Sequence, residues 1–189
     1  MNIPIVLAVM GSSRQGSSNR QIVEYIRKRY ADVVRIEIYD QVDSLPPFDP
    51  GTDPEEAPVS VREWIEKIHQ SDAVLVCTPE YVFSLPGMLK NALEWTVATT
   101  VFTDKPVAYI VASASGEYAM AALAIILQTL RGQPIPAAQQ VLVKGARGKI
   151  AADAGLTDAA AAAALDQLMQ SLLREIRGGE ASVEKERES

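Results

Sequence analysis

Short apolar runs rich in β-branched residues alternate with amphipathic helical patterns from one end of the chain to the other. Such alternation is typical of parallel strands joined by crossover helices. The predicted strands span residues 3–10, 33–39, 73–77, 106–112 and 140–143. All but the second are almost continuously apolar, which indicates a sheet covered by helices on both faces.

The second run has a different pattern. Val34, Ile36 and Ile38 alternate with a partly polar set, so this strand is predicted to lie at an edge. Five strands alternating with five helices then predict an α/β fold, a doubly wound five-stranded parallel sheet of order 2-1-3-4-5 with helices on both faces. In that topology ligands bind at the carboxyl ends of the strands, at the switch point between strands 1 and 3. We therefore expect the loops after strands 1, 3 and 4 to carry the chemistry.

Capping patterns mark two helix starts. Ser60 and Glu63 predict a capping box, and Asp158 predicts the N-cap of the last helix. The chain is predicted to form a single domain over residues 1–177. A polar, disordered tail is predicted over residues 178–189.

The composition of the chain excludes several classes of function. Hydrophobic residues make up 48% of the 189-residue chain and charged residues 22%, an ordinary globular balance. The net charge of −6 argues against nucleic-acid binding through a generally basic surface. Cys77 is the lone cysteine, no apolar run reaches membrane length, and no secretory signal pattern is visible, so we expect a cytoplasmic protein. With His69 as the lone histidine, no ligand set for a metal is visible.

The segment 11–20, Gly-Ser-Ser-Arg-Gln-Gly-Ser-Ser-Asn-Arg, follows the first apolar run and opens a helical pattern. A strand that ends in a Gly/Ser-rich turn and feeds a helix directs backbone N–H groups and the positive end of the helix dipole at one spot. Arg14 can add a bidentate, permanently charged contact. The segment therefore predicts an anion site.

The spacing of this segment also resembles a P-loop. Gly11 and Gly16 stand at the two glycine positions, but Ser17 occupies the place of the lysine, so a nucleoside triphosphatase is disfavoured. A site for a single phosphate remains. The alternative is that Ser18 and Gln21 form a capping box that only starts the helix.

A second unusual stretch, residues 78–95, runs from the third strand through an aromatic turn into a new helix. Pro79 stiffens the turn, and Tyr81 or Phe83 could supply an apolar wall for a flat heteroaromatic ligand. The alternative is an ordinary surface turn in which Pro86 starts the helix and the aromatic residues lie in core or subunit contacts.

Together these stretches resemble the NADPH-dependent FMN reductase family of flavodoxin-like quinone, azo and metal-ion reductases. The family's first motif, G-S-x-R-x-x-S-x-N-R, is matched at every stated position. Its second, P-E-Y-N-x-S-x-P-G-x-L-K-N-A-x-D-W, is matched except that Glu94 replaces the aspartate and Val82 the asparagine. The resemblance implies a flavodoxin-like sheet.

The resemblance also implies bound FMN, with NADPH or NADH as electron donor. The first loop would hold the phosphate, and the second and third loops would approach the ring. The implied residues are Ser12, Arg14, Ser17, Ser18 and Asn19 for the phosphate, and Pro79, Glu80, Tyr81, Val82, Phe83, Ser115 and Gly116 for the ring. The implied function is an NAD(P)H oxidoreductase that passes electrons to a diffusible acceptor: a quinone, an azo compound, free flavin or a metal ion. The chemistry would take place on the flavin, so no catalytic side chain is expected.

Two other functions stay open. The first is a flavodoxin-like FMN-binding protein or electron carrier with little nicotinamide turnover. It is favoured by Val82 and by the bulky residues Glu117, Tyr118 and Met120 in and beside the third loop. A third hypothesis is an interaction domain that binds no FMN.

A helix is predicted over residues 89–98, with Trp95 and Val97 as exposed apolar residues beside the aromatic turn. In similar proteins this face makes a dimer. We therefore expect a homodimer or homotetramer that acts on small molecules, with no nucleic-acid or membrane partner.

Overall fold

Five parallel strands form one sheet in the order β2-β1-β3-β4-β5. The computed structural model describes residues 3–12, 14, 16–53, 55–149 and 155–187, with the backbone alone for residues 180–187. The strands are β1 (Ile5–Met10), β2 (Arg35–Tyr39), β3 (Ala73–Thr78), β4 (Val107–Ser113) and β5 (Gln140–Lys144). The predicted strand order is confirmed.

Five helices connect and follow these strands: α1 (Ser18–Arg29), α2 (Val59–Gln70), α3 (Gly87–Glu94), α4 (Glu117–Arg131) and α5 (Ala159–Arg187). Buried residues of α1 and α5 pack on one face of the sheet. Buried residues of α2, α3 and α4 pack on the other face. Helices on both faces explain why the strands are apolar at nearly every position.

The edge strand β2 begins later than predicted. The N–H groups of Val33 and Val34 both donate to the carbonyl of Tyr30, at 3.0 Å each, so these residues close the turn after α1. Val33, Arg35, Glu37 and Tyr39 make up the partly polar set of the sequence pattern, but Tyr39 is buried and stacks on Trp64 with ring centroids 4.7 Å apart.

The helix starts test the capping predictions. The N–H of Ala161 donates to Oδ1 of Asp158 at 2.7 Å, so the predicted cap of α5 is confirmed. The capping box of Ser60 and Glu63 is wrong, because α2 begins at Val59 and Ser60 already lies inside the helix.

Trp95 also differs from its prediction. Helix α3 ends at Glu94, and the Trp95 side chain is buried rather than exposed. Its indole N–H donates to the carbonyl of Pro46 at 2.8 Å, and Phe48 packs edge-on against its ring. Val97 is exposed, as predicted.

Helix α5 continues to Arg187, beyond the predicted domain boundary at residue 177. Residues 180–187 include alanine, glutamate, lysine and arginine, which are strong helix formers. The division into one domain and a disordered tail stays a prediction. In the described part of the chain, every helix is too short or too polar to cross a bilayer.

Candidate functional site: a cleft at the carboxyl ends of the strands

A cleft of about 830 Å³ opens at the carboxyl ends of β1, β3, β4 and β5. Its lining comes from the loops that follow these four strands and from the first turn of α1. The lining residues are Ser12, Arg14, Gly16, Ser17, Ser18, Asn19, Gln21, Pro79, Glu80, Tyr81, Ala112, Ser113, Ala114, Gly145, Ala146 and Arg147. The switch point between strands 1 and 3 therefore lies at the cleft, as the topology predicted.

The start of α1 forms one wall of this cleft. Ser17 is the N-cap, and its Oγ accepts the N–H of Arg20 at 3.2 Å, so the alternative of a Ser18–Gln21 capping box is wrong. Since that oxygen is an acceptor, the hydroxyl hydrogen of Ser17 stays available to donate. The first turn of α1 contains no acidic residue, which leaves the positive end of its dipole without a carboxylate of its own.

Arg14 adds a permanent positive charge to the same wall. Its side chain is exposed, and it makes no ion pair among the described residues. A guanidinium, a serine hydroxyl and an acid-free helix N-terminus fit a phosphate monoester, which needs several donors and positive potential.

Gly11 supports this loop without lining the cleft. A Cβ placed on it would lie 2.2 Å from Oγ1 of Thr78, and its N–H donates to the carbonyl of Cys77 at 2.8 Å. Glycine is therefore required for the close approach of β1 and β3 at their carboxyl ends.

Asn19 connects the start of α1 to the sheet. It is buried, and its Nδ2 donates to the carbonyl of Ala112 at the end of β4, at 3.1 Å. The thiol of Cys77 donates to Oδ1 of Asn19 at 3.4 Å. Burial raises the pKa of the Cys77 thiol well above its usual range, so it stays protonated and is a packing residue.

The aromatic turn after β3 is a two-residue hairpin. Tyr81 and Ser84 exchange two backbone hydrogen bonds, of 2.9 and 3.0 Å, across Val82 and Phe83. Both central residues are left-handed, with φ of 51° and 57°. Hairpin turns of this type favour asparagine and glycine, and a β-branched residue is strained there. This preference explains why the family has asparagine at this position of the motif. The present chain has Val82 there instead.

Of the hairpin residues predicted to surround the ring, one lines the cleft and two lie outside its lining. Tyr81 lines the cleft, and its hydroxyl lies 3.3 Å from Oγ of Ser12, which links the first and second loops. Val82 and Phe83 lie outside the lining and are 93% and 71% exposed. The Phe83 ring instead packs edge-on against Tyr118 of the third loop.

Glu80 fixes the third loop to the second. Its carboxylate accepts the Ser115 hydroxyl at 2.9 Å and the N–H groups of Tyr118 and Ala119 at 2.9 and 3.0 Å. Gly116, the N-cap of α4, is left-handed and has no side chain to cap the helix, so Glu80 does this in its place. These donors, Ala119 N–H foremost, hold the Glu80 pKa below its usual value. Ser115 and Gly116 themselves lie outside the cleft lining.

Sequence reasoning missed one wall of the cleft, the loop after β5. Gly145, Ala146 and Arg147 line it. The signal was present in residues 144–149, Lys-Gly-Ala-Arg-Gly-Lys, which are basic and glycine-rich. All strands of a parallel sheet end at the same edge, so this loop had to lie near the others.

The comparisons with known proteins agree with this geometry. Residues 4–147 match the model of the family described as NADPH-dependent FMN reductase. Over 180 residues the chain is 29% identical to the NAD(P)H-dependent FMN reductase of Pseudomonas aeruginosa, covering 92% of this chain and 97% of that protein. It is 34% identical over 91 residues to a quinone reductase of Escherichia coli, which is 48% of each protein.

Among solved structures, FerB from Paracoccus denitrificans, a flavoenzyme NAD(P)H:(acceptor) oxidoreductase, has a similar fold. The TM-score is 0.80 at 26% identity, and the match covers 93% of this chain and 98% of FerB. The chain spans about half the length of several curated relatives that it matches. With the family model matched over most of its length, the chain belongs to the NADPH-dependent FMN reductase family.

Proposed function

We propose that this chain is an FMN-dependent NAD(P)H oxidoreductase that passes electrons to a diffusible acceptor such as a quinone, an azo compound, free flavin or a metal ion. The observation that carries the proposal is the acid-free start of α1 beside Arg14, in one cleft with Tyr81. A phosphate monoester and a flat ring need these two features together.

In this proposal the first loop holds the FMN phosphate and the next two loops face the ring. The phosphate would contact Ser12, Arg14, Ser17, Ser18 and Asn19. Backbone and side chains of residues 79–83 and 115–116 would face the ring, and Tyr81, which lines the cleft, is the best placed of them.

Bound FMN would supply hydride acceptance from the nicotinamide and electron delivery to the second substrate. The protein's own task is to orient the ring and leave one side open. Cys77 is buried and His69 lies on α2, on the surface, so neither is placed to transfer a proton in the cleft. The carboxylate of Glu80 accepts three hydrogen bonds from the third loop and α4, which suits it to hold that loop in place.

A homodimer or homotetramer is part of the proposal. Val82, Phe83 and Tyr118 form an exposed apolar group at the rim of the cleft, and Val97 is exposed as well. Covering such a group with a second copy would remove apolar surface from water. Light scattering after size exclusion that returns a 20.5 kDa particle at micromolar concentration would contradict this. A cytoplasmic location stays a prediction.

One observation favours the second candidate, an FMN-binding electron carrier. Phe83 and Tyr118 pack against each other with ring centroids 5.3 Å apart, between the second and third loops. A pair at this position could restrict the approach of a nicotinamide while leaving the phosphate wall open.

One series of spectra distinguishes the two functions. Purified protein is titrated with FMN, the visible spectrum is recorded, and NADPH is then added without oxygen, followed by a quinone. We expect a bound flavin that bleaches with NADPH and recovers its colour with quinone. Bound flavin that stays oxidised would assign the carrier function, and no flavin binding would reject both.

A further inference from the structure

The loop after β5 presents a cation to the cleft from a fixed backbone. Gly145 is left-handed, with φ of 62°, and turns the chain into a single 3-10 turn, Ala146–Gly148. The Ala146 side chain is buried in the core cluster that includes α5. The carbonyl of Lys149 accepts the N–H of Thr157 at 2.8 Å. Arg147 therefore stands on an anchored turn in the cleft wall.

The neighbouring cations of this loop are already paired. Lys144 forms an ion pair with Glu117, and Lys149 forms one with Asp158 at 3.2 Å. Arg147 is exposed and makes no ion pair within the described part of the chain. Among the described residues, it is thus the cation of this loop that has no ion-pair partner.

The described lining of the cleft contains no carboxylate that is free to pair with Arg147. Glu80 is the sole acidic residue of the described lining, and its oxygens accept hydrogen bonds from the third loop and the start of α4. The same cleft also holds Arg14 and the positive end of the α1 dipole. Positive groups gathered in one cleft repel each other until an anion lies between them.

We propose that Arg147 binds the 5′-phosphate of FMN, so that the phosphate is held between the first loop and the fifth. This inference rests on the proposed function and adds a residue from the loop after β5, which the two family motifs do not cover. A phosphate monoester carries close to two negative charges at neutral pH and has three acceptor oxygens, enough for Ser17, Arg14 and Arg147 together.

The test compares FMN with riboflavin, which has the same ring and lacks the phosphate. Apoprotein is titrated with each flavin, and quenching of flavin fluorescence gives the Kd. We expect Arg147→Gln to raise the Kd of FMN by about tenfold or more, the range of a lost charge-assisted hydrogen bond, and to leave that of riboflavin within about twofold. Lys149→Gln is the matched control, because it removes the same charge from the same loop where Asp158 already pairs with it.

The outcomes separate the two proposals. Arg14→Ala serves as the positive control for a lost phosphate contact. Wild-type protein that binds neither flavin would overturn the proposed function itself. An unchanged Kd of FMN in Arg147→Gln, or equal weakening of both flavins, would overturn the role of Arg147 alone. So would an unchanged Kd of FMN combined with a KM for NADPH that rises in Arg147→Gln relative to wild type, which would assign the arginine to the nicotinamide donor.

Discussion

The carboxylate of Glu80 accepts the backbone N–H of Tyr118 at 2.9 Å. Glu80 belongs to the loop after β3, and Tyr118 lies in the first turn of α4, directly after the loop that follows β4. These two loops are the ones that would face the flavin ring. Because Gly116 offers no capping side chain, the start of α4 depends on a carboxylate from a neighbouring strand. The spacing of the two loops is therefore set by one side chain.

Replacing Glu80 should loosen this connection. We expect Glu80→Gln to lower the free energy of unfolding by about 1 kcal/mol or less, because the amide keeps one oxygen acceptor for the N–H groups of α4 but loses the negative charge that strengthens these bonds at a helix N-terminus. Urea denaturation measures the change. Glu55→Gln is the control, since that exposed side chain makes no hydrogen bond or ion pair among the described residues. Equal stability of the two variants would contradict the capping role.

The Glu80 cap should also depend on pH. Its pKa is lower in the folded protein than the ordinary value of 4.5, so its ionised form stabilises the fold above that value. The contribution is lost as the pH falls through the lowered native pKa. We expect the stability difference between wild type and Glu80→Gln to be constant near pH 7 and to shrink below about pH 4.5. Thermal unfolding across pH 3–7 measures this, and a difference at pH 3 as large as that at pH 7 would contradict it. Other carboxylates with lowered pKa, such as Asp166, cancel in the comparison.

Replacing Val82 is expected to stabilise the fold rather than destabilise it. Its left-handed backbone costs energy for a β-branched residue, and its side chain is 93% exposed, so little packing is lost on replacement. We expect Val82→Asn to raise the free energy of unfolding by about 1 kcal/mol. The control is Val97→Asn, an exposed valine outside the set of left-handed residues, expected within about 0.5 kcal/mol of wild type. A destabilised Val82→Asn would mean that the valine side chain is buried against a partner.

A side chain at position 11 is expected to clash with its neighbours and destabilise the fold. We expect Gly11→Ala to destabilise the fold by about 1–3 kcal/mol, because the new Cβ would lie 2.2 Å from Oγ1 of Thr78 and 3.0 Å from a methyl of Leu89. Gly148→Ala is the matched control, since no atom lies within 4 Å of its added Cβ. Urea denaturation of both variants measures the difference. Wild-type stability in Gly11→Ala would show that β1 and β3 tolerate a wider separation.

The sheet could be predicted from sequence because burial on both faces leaves a local signature. The apolar runs reproduce the observed strands to within two residues at each end, as for β3 at Ala73–Thr78. The start of α1 as one wall of the cleft could also be predicted, because glycines, serines and an arginine lie together in one segment. The family resemblance then followed from two short motifs.

What the sequence could not show depends on contacts between distant segments. The sequence predicts that Trp95 is exposed. In the fold, its indole N–H donates to the carbonyl of Pro46, 49 positions earlier. The family resemblance predicts that Glu80 contacts the flavin ring. In the fold, its hydrogen-bond partners lie 35 to 39 positions later in the chain. Which of the predicted site residues touch FMN stays a prediction.

The unequal distribution of charge in this molecule affects how fast an anion enters and leaves. The whole chain carries a net charge of −6, whereas the cleft holds two arginines without carboxylate partners in the described structure. Outside the cleft, an approaching phosphate is repelled by the net negative charge of the chain over about 8 Å, the screening length at physiological ionic strength, and inside the cleft it is attracted. Added salt weakens both effects. It should therefore raise the association rate constant and the dissociation rate constant together, so that the equilibrium affinity changes less than either rate.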